Sequence, residues 1–428
     1  MLSFTKRKIA ELRSCTSGNV LVLAATGCFV LTGAVGLAVD VSQWYLSKRQ
    51  LQQAVDSAAL AAAHTLSQGG TDTYRTAGMN DLERNDDDMT ISVETLSTSP
   101  ATGGWAGDSG AIEVIATTSK SLPFSGLFMD SAVTIRSRGV ATAVSRGENC
   151  VISLAETGVG INVLGTADVG AGCGVIANST DDSAVTLVGT SYLDANPISA
   201  VGNISASDTN YPSDTAILPY GVAQTDPIAE RGLEVPTDPT TCDYNNERVL
   251  PRDSETYTAP PGGAMRFCGG LNVQGSVTFN PGVYIMDAGD FQVSSTATIR
   301  GEGVTFVLTG NAAGNVAAVD IAGGADVNLS APTSAQDADW FGMLFFQDPD
   351  LGSSRESNIA GDANLNLEGI VYMPKGDLSF LGSSGQTSDC IYLIAERVTI
   401  GGEASIDNNC GLDYEGMNFQ NYRIALVE

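Results

Sequence analysis

Residues 20–39 (VLVLAATGCFVLTGAVGLAV) form an apolar run without a charged side chain, and residues 40–66 continue it as an alanine-rich pattern of helical period. Twenty residues at about 1.5 Å each give roughly the 30 Å of a bilayer's hydrocarbon core, so the run predicts a membrane-spanning helix. Beyond it Trp44, Leu51, Val55, Ala58, Ala62 and Leu66 recur at helical spacing, with Lys48, Arg49, Gln52, Gln53 and Asp56 on a wetter side. This predicts one helix over 18–69, ended by Gly69 and Gly70, that leaves the membrane and lays an apolar stripe on a partner surface. Asp40 should be the first residue to leave the bilayer, with Trp44 and Tyr45 at headgroup depth. A cleaved secretory signal, with small residues Gly36 and Ala38 around the cut, is the competing reading, but it severs a helix continuous in pattern.

Lys6, Arg7, Lys8 and Arg13 precede the run against Glu11 alone, and only Lys48 and Arg49 follow closely. The positive-inside bias therefore makes residues 1–17 a cytoplasmic tail and puts the bulk of the chain on the far side. Within the run, Ala24, Cys28, Thr32 and Gly36 fall four apart on one helix face. Such a line of small side chains lets a second helix approach closely in lipid; the alternative is a plain apolar anchor.

Period-two alternation takes over after the helix. Residues 70–148 predict a small α+β domain, the helix packed on an antiparallel sheet with strands near 90–96, 111–117 and 133–144. Leu122, Phe124, Leu127 and Phe128 are expected as its core or edge cover.

From 149 to 428 a degenerate repeat appears: apolar, x, apolar, x, Gly, x, small, x, apolar. Its seven copies are 161–169 (INVLGTADV), 185–193 (VTLVGTSYL), 271–279 (LNVQGSVTF), 291–299 (FQVSSTATI), 319–327 (VDIAGGADV), 357–365 (SNIAGDANL) and 398–406 (VTIGGEASI). Alternation sends every second side chain inward, a small residue turns the corner, and stacked coils bury a column that no single repeat could bury. This predicts an all-β right-handed parallel β-helix, with an antiparallel sandwich as the alternative that has no need of a glycine at a fixed place. Residues 202–262 interrupt the repeat with eight of the fifteen prolines. Proline removes ladder donors, so this is a long excursion leaning on the solenoid, the kind of segment on which binding surfaces are built.

Cys15 lies in the tail, Cys28 in the span, and six cysteines lie beyond it. Nearest pairing gives Cys150 with Cys173, Cys242 with Cys268 and Cys390 with Cys410, each about one coil apart, although six cysteines allow fifteen connectivities. No Cys-x-x-Cys spacing supports zinc, and the single histidine, His64, is on the helix. The formal charge is −28, and beyond residue 17 there are 17 basic against 48 acidic residues, a formal −31. That balance argues against nucleic acid as a partner. Asp86 to Asp88, Asp181 with Asp182, and Asp348 with Asp350 are candidate oxygen ligands for a structural divalent cation, without EF-hand spacing; no other cofactor is expected. Catalysis is not expected either: the domains beyond the helix hold no histidine for a triad, and adjacent Asp181 and Asp182 point to opposite faces of a strand where glycoside hydrolysis needs two carboxyls facing across a cleft.

The segment GLAVDVSQWYLSKRQLQQAVDSAALAAA, with the apolar run before it, resembles the N-terminal part of the TadE/TadG-like proteins of the Flp, or tight adherence, pilus-assembly system. Type IV pilins place a glutamate five residues after the processing-site glycine, but the fifth residue after Gly18 is Leu23, which argues against cleavage and assembly as a major pilin. The Asp-x-Ser-x-Ser metal motif of the von Willebrand A-type domain in some TadG relatives is absent from the sequence. The repeat region resembles secreted pectate-lyase-like β-helices in general kind, without a shared motif. The resemblance implies a single-pass bacterial inner-membrane protein with its bulk periplasmic or at the cell surface, a structural component of pilus assembly or surface adhesion. Its implied partners are other Tad assembly proteins, the pilus or a surface glycan. A membrane-tethered β-helix that binds or cleaves envelope polysaccharide is the alternative.

Overall fold

The computed structural model describes residues 18–67, 70–85, 90–128, 132–312, 315–352, 355–361, 364–382, 390–406 and 419–428. The chain divides into two compact units, one of 1–144 with 424–428 and one of 145–423. The return of 424–428 to the first unit is not visible in the sequence pattern.

In the first unit a single helix, α1 (Gly18–Ser67), is followed by α2 (Tyr74–Arg84) and by the strands β1 (Ile91–Thr98), β2 (Ala111–Lys120) and β3 (Val133–Ser153). β2 pairs antiparallel with both β1 and β3. Leu51, Val55, Ala58 and Ala62 of α1 are fully buried and share a core with Leu96, Ile112, Val114 and Ile135 of the sheet. The expected stripe therefore packs on the sheet as its period dictates, except that Trp44 remains 40% exposed. Helix α2 falls where the sequence suggested only turns and strands. Its Gly78 lets it cross α1 closely: a Cβ there would meet Leu96 Cδ1 at 2.9 Å and the Ala58 carbonyl oxygen at 3.2 Å.

The polar residues of α1 do not simply face water. Lys48 donates to the carbonyl oxygen of Arg136 and, at 3.0 Å, to Ser137 Oγ; Gln52 donates at 2.8 Å to the carbonyl of Arg138. These carbonyls belong to β3, whose outward-facing acceptors are thus satisfied by helix side chains. Leu127 and Phe128 are 75% and 77% exposed, which corrects the expectation that they close the core.

The second unit is a parallel β-solenoid of about ten turns. Copies such as 161–169 bend at their small residue between two short strands, Ile161–Val163 and Asp168–Ala171, whereas copy 398–406 lies within the single strand Ile391–Ile406. Gly165, Gly189 and Gly402, the fifth residues of their copies, have φ of 70°, 75° and 75°, the left-handed conformation that makes glycine the natural corner. One further coil, with Leu378, Ser379 and Phe380 between 357–359 and 398–400, was not singled out by the repeat.

The stacking order departs from chain order. Strand Ile391–Ile406 lies between Leu365–Gly382 on one side and the unit's first coil on the other, pairing Val398 with Ile161 and Glu403 with Asp168. The chain starts in the middle of the stack, winds to one end at Ile217–Leu218, and crosses to the far end at Tyr244–Val249. It then winds back until its last coil closes on its first.

The crossing is made by the proline-rich excursion, here a strap over 219–243. Gln224 exchanges hydrogen bonds with Asn178, and Asp226 accepts one from Tyr372 at 2.7 Å. Arg231 donates to the carbonyls of Asp339 and Phe341 and lies 4.4 Å over the Phe341 ring. The carbonyls of Pro236 and Pro239 accept from Arg266 at 3.0 and 2.8 Å. These contacts occur in the spatial order of the coils, so the strap runs across the strands, where proline's extended, donor-free backbone suits a segment that joins no ladder.

The strap explains a second pattern. Under it runs the row Ile285, Val307, Phe346, Tyr372, Ile394, Ile152 and Ile176, one residue per coil in lateral register. Strands such as Val304–Thr309 and Met343–Gln347 are buried at every position, because the solenoid core lies under one face and strap and loop residues such as Ile228 and Trp340 lie over the other.

Candidate functional site

The face built by the first three residues of each copy is not covered by the strap. Its middle positions, the x between two apolar residues, stack in register from coil to coil. Arg248, Asn272, Gln292, Asp320 and Asn358 form one half of the row. Ser379, Thr399, Asn162, Thr186 and Ser205 complete it. The apolar neighbours of most rungs, such as Leu271 and Val273 or Val398 and Ile400, are buried, which turns the polar positions between them towards the outer face, although the Ser379 rung is itself buried. With strands about 4.8 Å apart, ten rungs make a polar ladder roughly 40 Å long. Acidic, basic and amide groups occupy one half and mainly hydroxyls the other. Asn272 donates to Gln292 Oε1 at 2.8 Å, whereas Asn272 Oδ1 and Thr186 Oγ1 are buried without a partner. The sequence carried the signal for this ladder at the second position of the repeat, but only the lateral register joins the rungs.

Beside the strap's far end a cleft of about 770 Å³ is lined by Pro236, Asp238, Pro260, Gly282, Asp337 and Trp340. The strap itself, read from sequence as a binding surface, spends Ile228, Leu233 and Val235 on the solenoid.

Two disulfides pin these parts. Cys150–Cys173 joins neighbouring coils, and Cys242–Cys268 ties the end of the strap to the strand Ala264–Val273. Cys390 is disulfide-bonded, while Cys410, its expected partner, lies outside the described residues. Asp86 to Asp88 lie outside them too. Asp181 accepts from the Gly158 amide and Asp348 from the Thr309 hydroxyl at 2.8 Å, and among the described residues no three His, Cys, Asp or Glu side chains converge.

In the first unit, α1 is long and apolar enough to cross a membrane, and no residue of its most apolar stretch is buried. Of the small-residue line, Ala24, Cys28 and Thr32 are exposed. Gly36 is not free for a partner: the Phe124 ring covers it so closely that a Cβ would overlap it. Asp40 is buried, accepting the Phe124 amide at 2.9 Å and the amide and hydroxyl of Ser125, so it does not simply emerge into water as the sequence suggested.

Residues 18–65 match the Tad family model, described as Flp pilus-assembly TadE/G-like. The match covers the long helix alone. Curated proteins and solved structures give no match. The match falls on one continuous element that holds both the candidate membrane span and the packed, sheet-covering half.

Proposed function

We propose that this chain is a single-pass, membrane-anchored structural component of Tad-type pilus assembly or surface adhesion, without catalytic activity. The observation that carries the reading is the Tad family match over a helix that is apolar enough to span a bilayer and then continues, without a break, as the core of a folded domain. In this reading the tail is cytoplasmic, the span lies in the bacterial inner membrane, and both folded units are exported, a compartment in which disulfides persist. The exposed line Ala24, Cys28 and Thr32 docks on membrane-embedded assembly partners, and the solenoid's polar ladder contacts the pilus or an envelope polymer. A null strain complemented with the wild-type chain should regain surface pili or adhesion. Complementation with Ala24→Leu, Cys28→Leu and Thr32→Leu combined should fail at normal protein level, and full rescue would remove the docking step.

A second reading, a tethered solenoid that binds surface polysaccharide, draws on the ladder and on the cleft at Trp340, where polar rungs and an apolar indole edge lie on the same unit. Saturable binding of the full chain to an envelope glycan on an array, lost on replacing Asn272 and Gln292 by alanine, would favour it; silence on the array leaves the assembly reading in front.

A further inference from the structure

The segment 121–128 (SLPFSGLF), the first part of the β2–β3 connection, has no charged residue of its own, Lys120 and Asp130 flanking it, and it is fastened to α1 at two adjacent levels. The Phe124 ring lies against Gly36, inside the apolar run 20–39. One turn later Asp40, 1% exposed, accepts the amides of Phe124 and Ser125 and the Ser125 hydroxyl. This carboxylate is solvated by amide and hydroxyl donors from the loop in place of water, so it does not by itself mark the point where the helix enters water. Beyond Asp40, Val41, Tyr45 and Leu46 are 56%, 62% and 57% exposed, a mainly apolar surface with the exposed Ser42 among them that continues from Val35, Leu37 and Val39. The loop is therefore held at a depth where its own helix is still apolar. From that position Leu127 and Phe128 project, 75% and 77% exposed, with the Phe128 ring set edge-on to Phe124 at 5.5 Å.

We propose that the loop 122–128 is a second membrane-contact element, in which Leu127 and Phe128 enter the interfacial layer of the bilayer that α1 spans, with Asp40 as the clamp that holds them there. The occupant is lipid, because the surface is continuous with the span and lies at its depth, where an exposed Leu and Phe side by side partition favourably into the interfacial layer while flanking charges stay at its edge. The inference rests on the membrane-spanning reading of α1.

The test uses the full chain, with Cys15→Ser and Cys28→Ala, in vesicles of phosphatidylethanolamine and phosphatidylglycerol. A nitroxide is placed in turn at Phe128→Cys, at Ala34→Cys in the span and at Thr102→Cys in an exposed turn, and its collision rates with oxygen and with a water-soluble nickel chelate are compared. Position 128 should match position 34, open to oxygen and shielded from nickel, and differ from position 102. If 128 matches 102 while 34 stays in lipid, the loop proposal fails and the span stands; if 34 also matches 102, the span fails and the loop proposal with it. A label at 128 that is immobilised and shielded from both reagents means a protein partner and also overturns the proposal. Adding Asp40→Ala should raise nickel access at 128 towards the value at 102, and an unchanged profile would remove Asp40 as the clamp.

Discussion

Tyr372, in the middle of the solenoid, donates a 2.7 Å hydrogen bond to Asp226 of the strap. Asp226 also accepts from the amides of Ile228 and Ala229, so one carboxylate organises the turn of the strap and ties it to the coil beneath. Burial and then Asp226 push the Tyr372 phenol above its ordinary value. Tyr372→Phe removes the only one of these bonds that links strap to coil, and should cost about 1.5–3 kcal/mol, the range for a hydrogen bond to a charged group. Thermal unfolding checks it, with hydrogen exchange rising at 224–231 before the coils.

Alkaline pH should act through the same group and two others. Burial raises Tyr257, with Glu247 adding to it, and pushes Tyr284 up to about 12. The sign follows from linkage: a phenol raised in the fold stabilises it fully below its unfolded value, about 10, and that contribution is lost as pH climbs towards the folded value. These three of the twelve tyrosines should ionise only together with unfolding, which a phenolate absorbance titration followed alongside circular dichroism would read as one cooperative step. Gradual ionisation of all twelve in the folded protein would contradict the burial.

The strap's end is held by Cys242–Cys268. Replacing both cysteines by serine should cost about 2–4 kcal/mol, and exchange should rise at 232–243 more than in the coils. A uniform loss along the solenoid would mean that the strap is not an independent closing element.

Corner geometry gives a sharper substitution. Gly402 has φ of 75°, and a Cβ there would stand 1.9 Å from the carbonyl oxygen of Gly382 on the neighbouring coil. Gly402→Val adds a β-branched side chain in a left-handed conformation against backbone, and should destabilise the second unit by more than about 2 kcal/mol. The same change at Gly323, where a Cβ would meet nothing closer than 4.0 Å, should be mild. Urea melts of the two variants make the comparison.

In the first unit Arg138 joins Glu113, with a side chain 5% exposed, to Glu428. The hydrogen bond from Arg138, followed by that from the Gly104 amide, holds the Glu428 carboxyl below its usual range, while Glu428 first and Glu113 next raise Arg138. A depressed carboxyl stabilises the fold above its unfolded value, about 4.3, and loses that contribution as pH falls through the folded value. Arg138→Met should cost about 3–5 kcal/mol by leaving Glu113 buried and unpaired. It should also remove the part of the acid destabilisation that comes from Glu428. Melts of the first unit between pH 7 and pH 3 would show both.

Much of this architecture is written locally. The length of the apolar run set the candidate span, the helical period of Leu51, Val55, Ala58 and Ala62 set the face that meets the sheet, and the alternation with a corner glycine set the coils. Each is decided within a dozen residues by periodicity and backbone freedom, which any reader of the chain can see. Helix α2 was less legible, because Gly78 weakens its helical propensity and the reason for that glycine, contact with Ala58 and Leu96, is tertiary.

The tertiary structure alone decided the rest. Lateral register between residues hundreds apart, such as Val398 with Ile161, has no local signature, since any coil's edge offers the same row of amides and carbonyls to any other. Only the closed stack therefore showed that the chain starts in the middle, that the prolines form a strap, and that the face left open carries the polar ladder. The same holds for Asp40: a carboxylate at the end of an apolar run reads as an exit into water until a loop more than eighty residues away is seen to supply its donors.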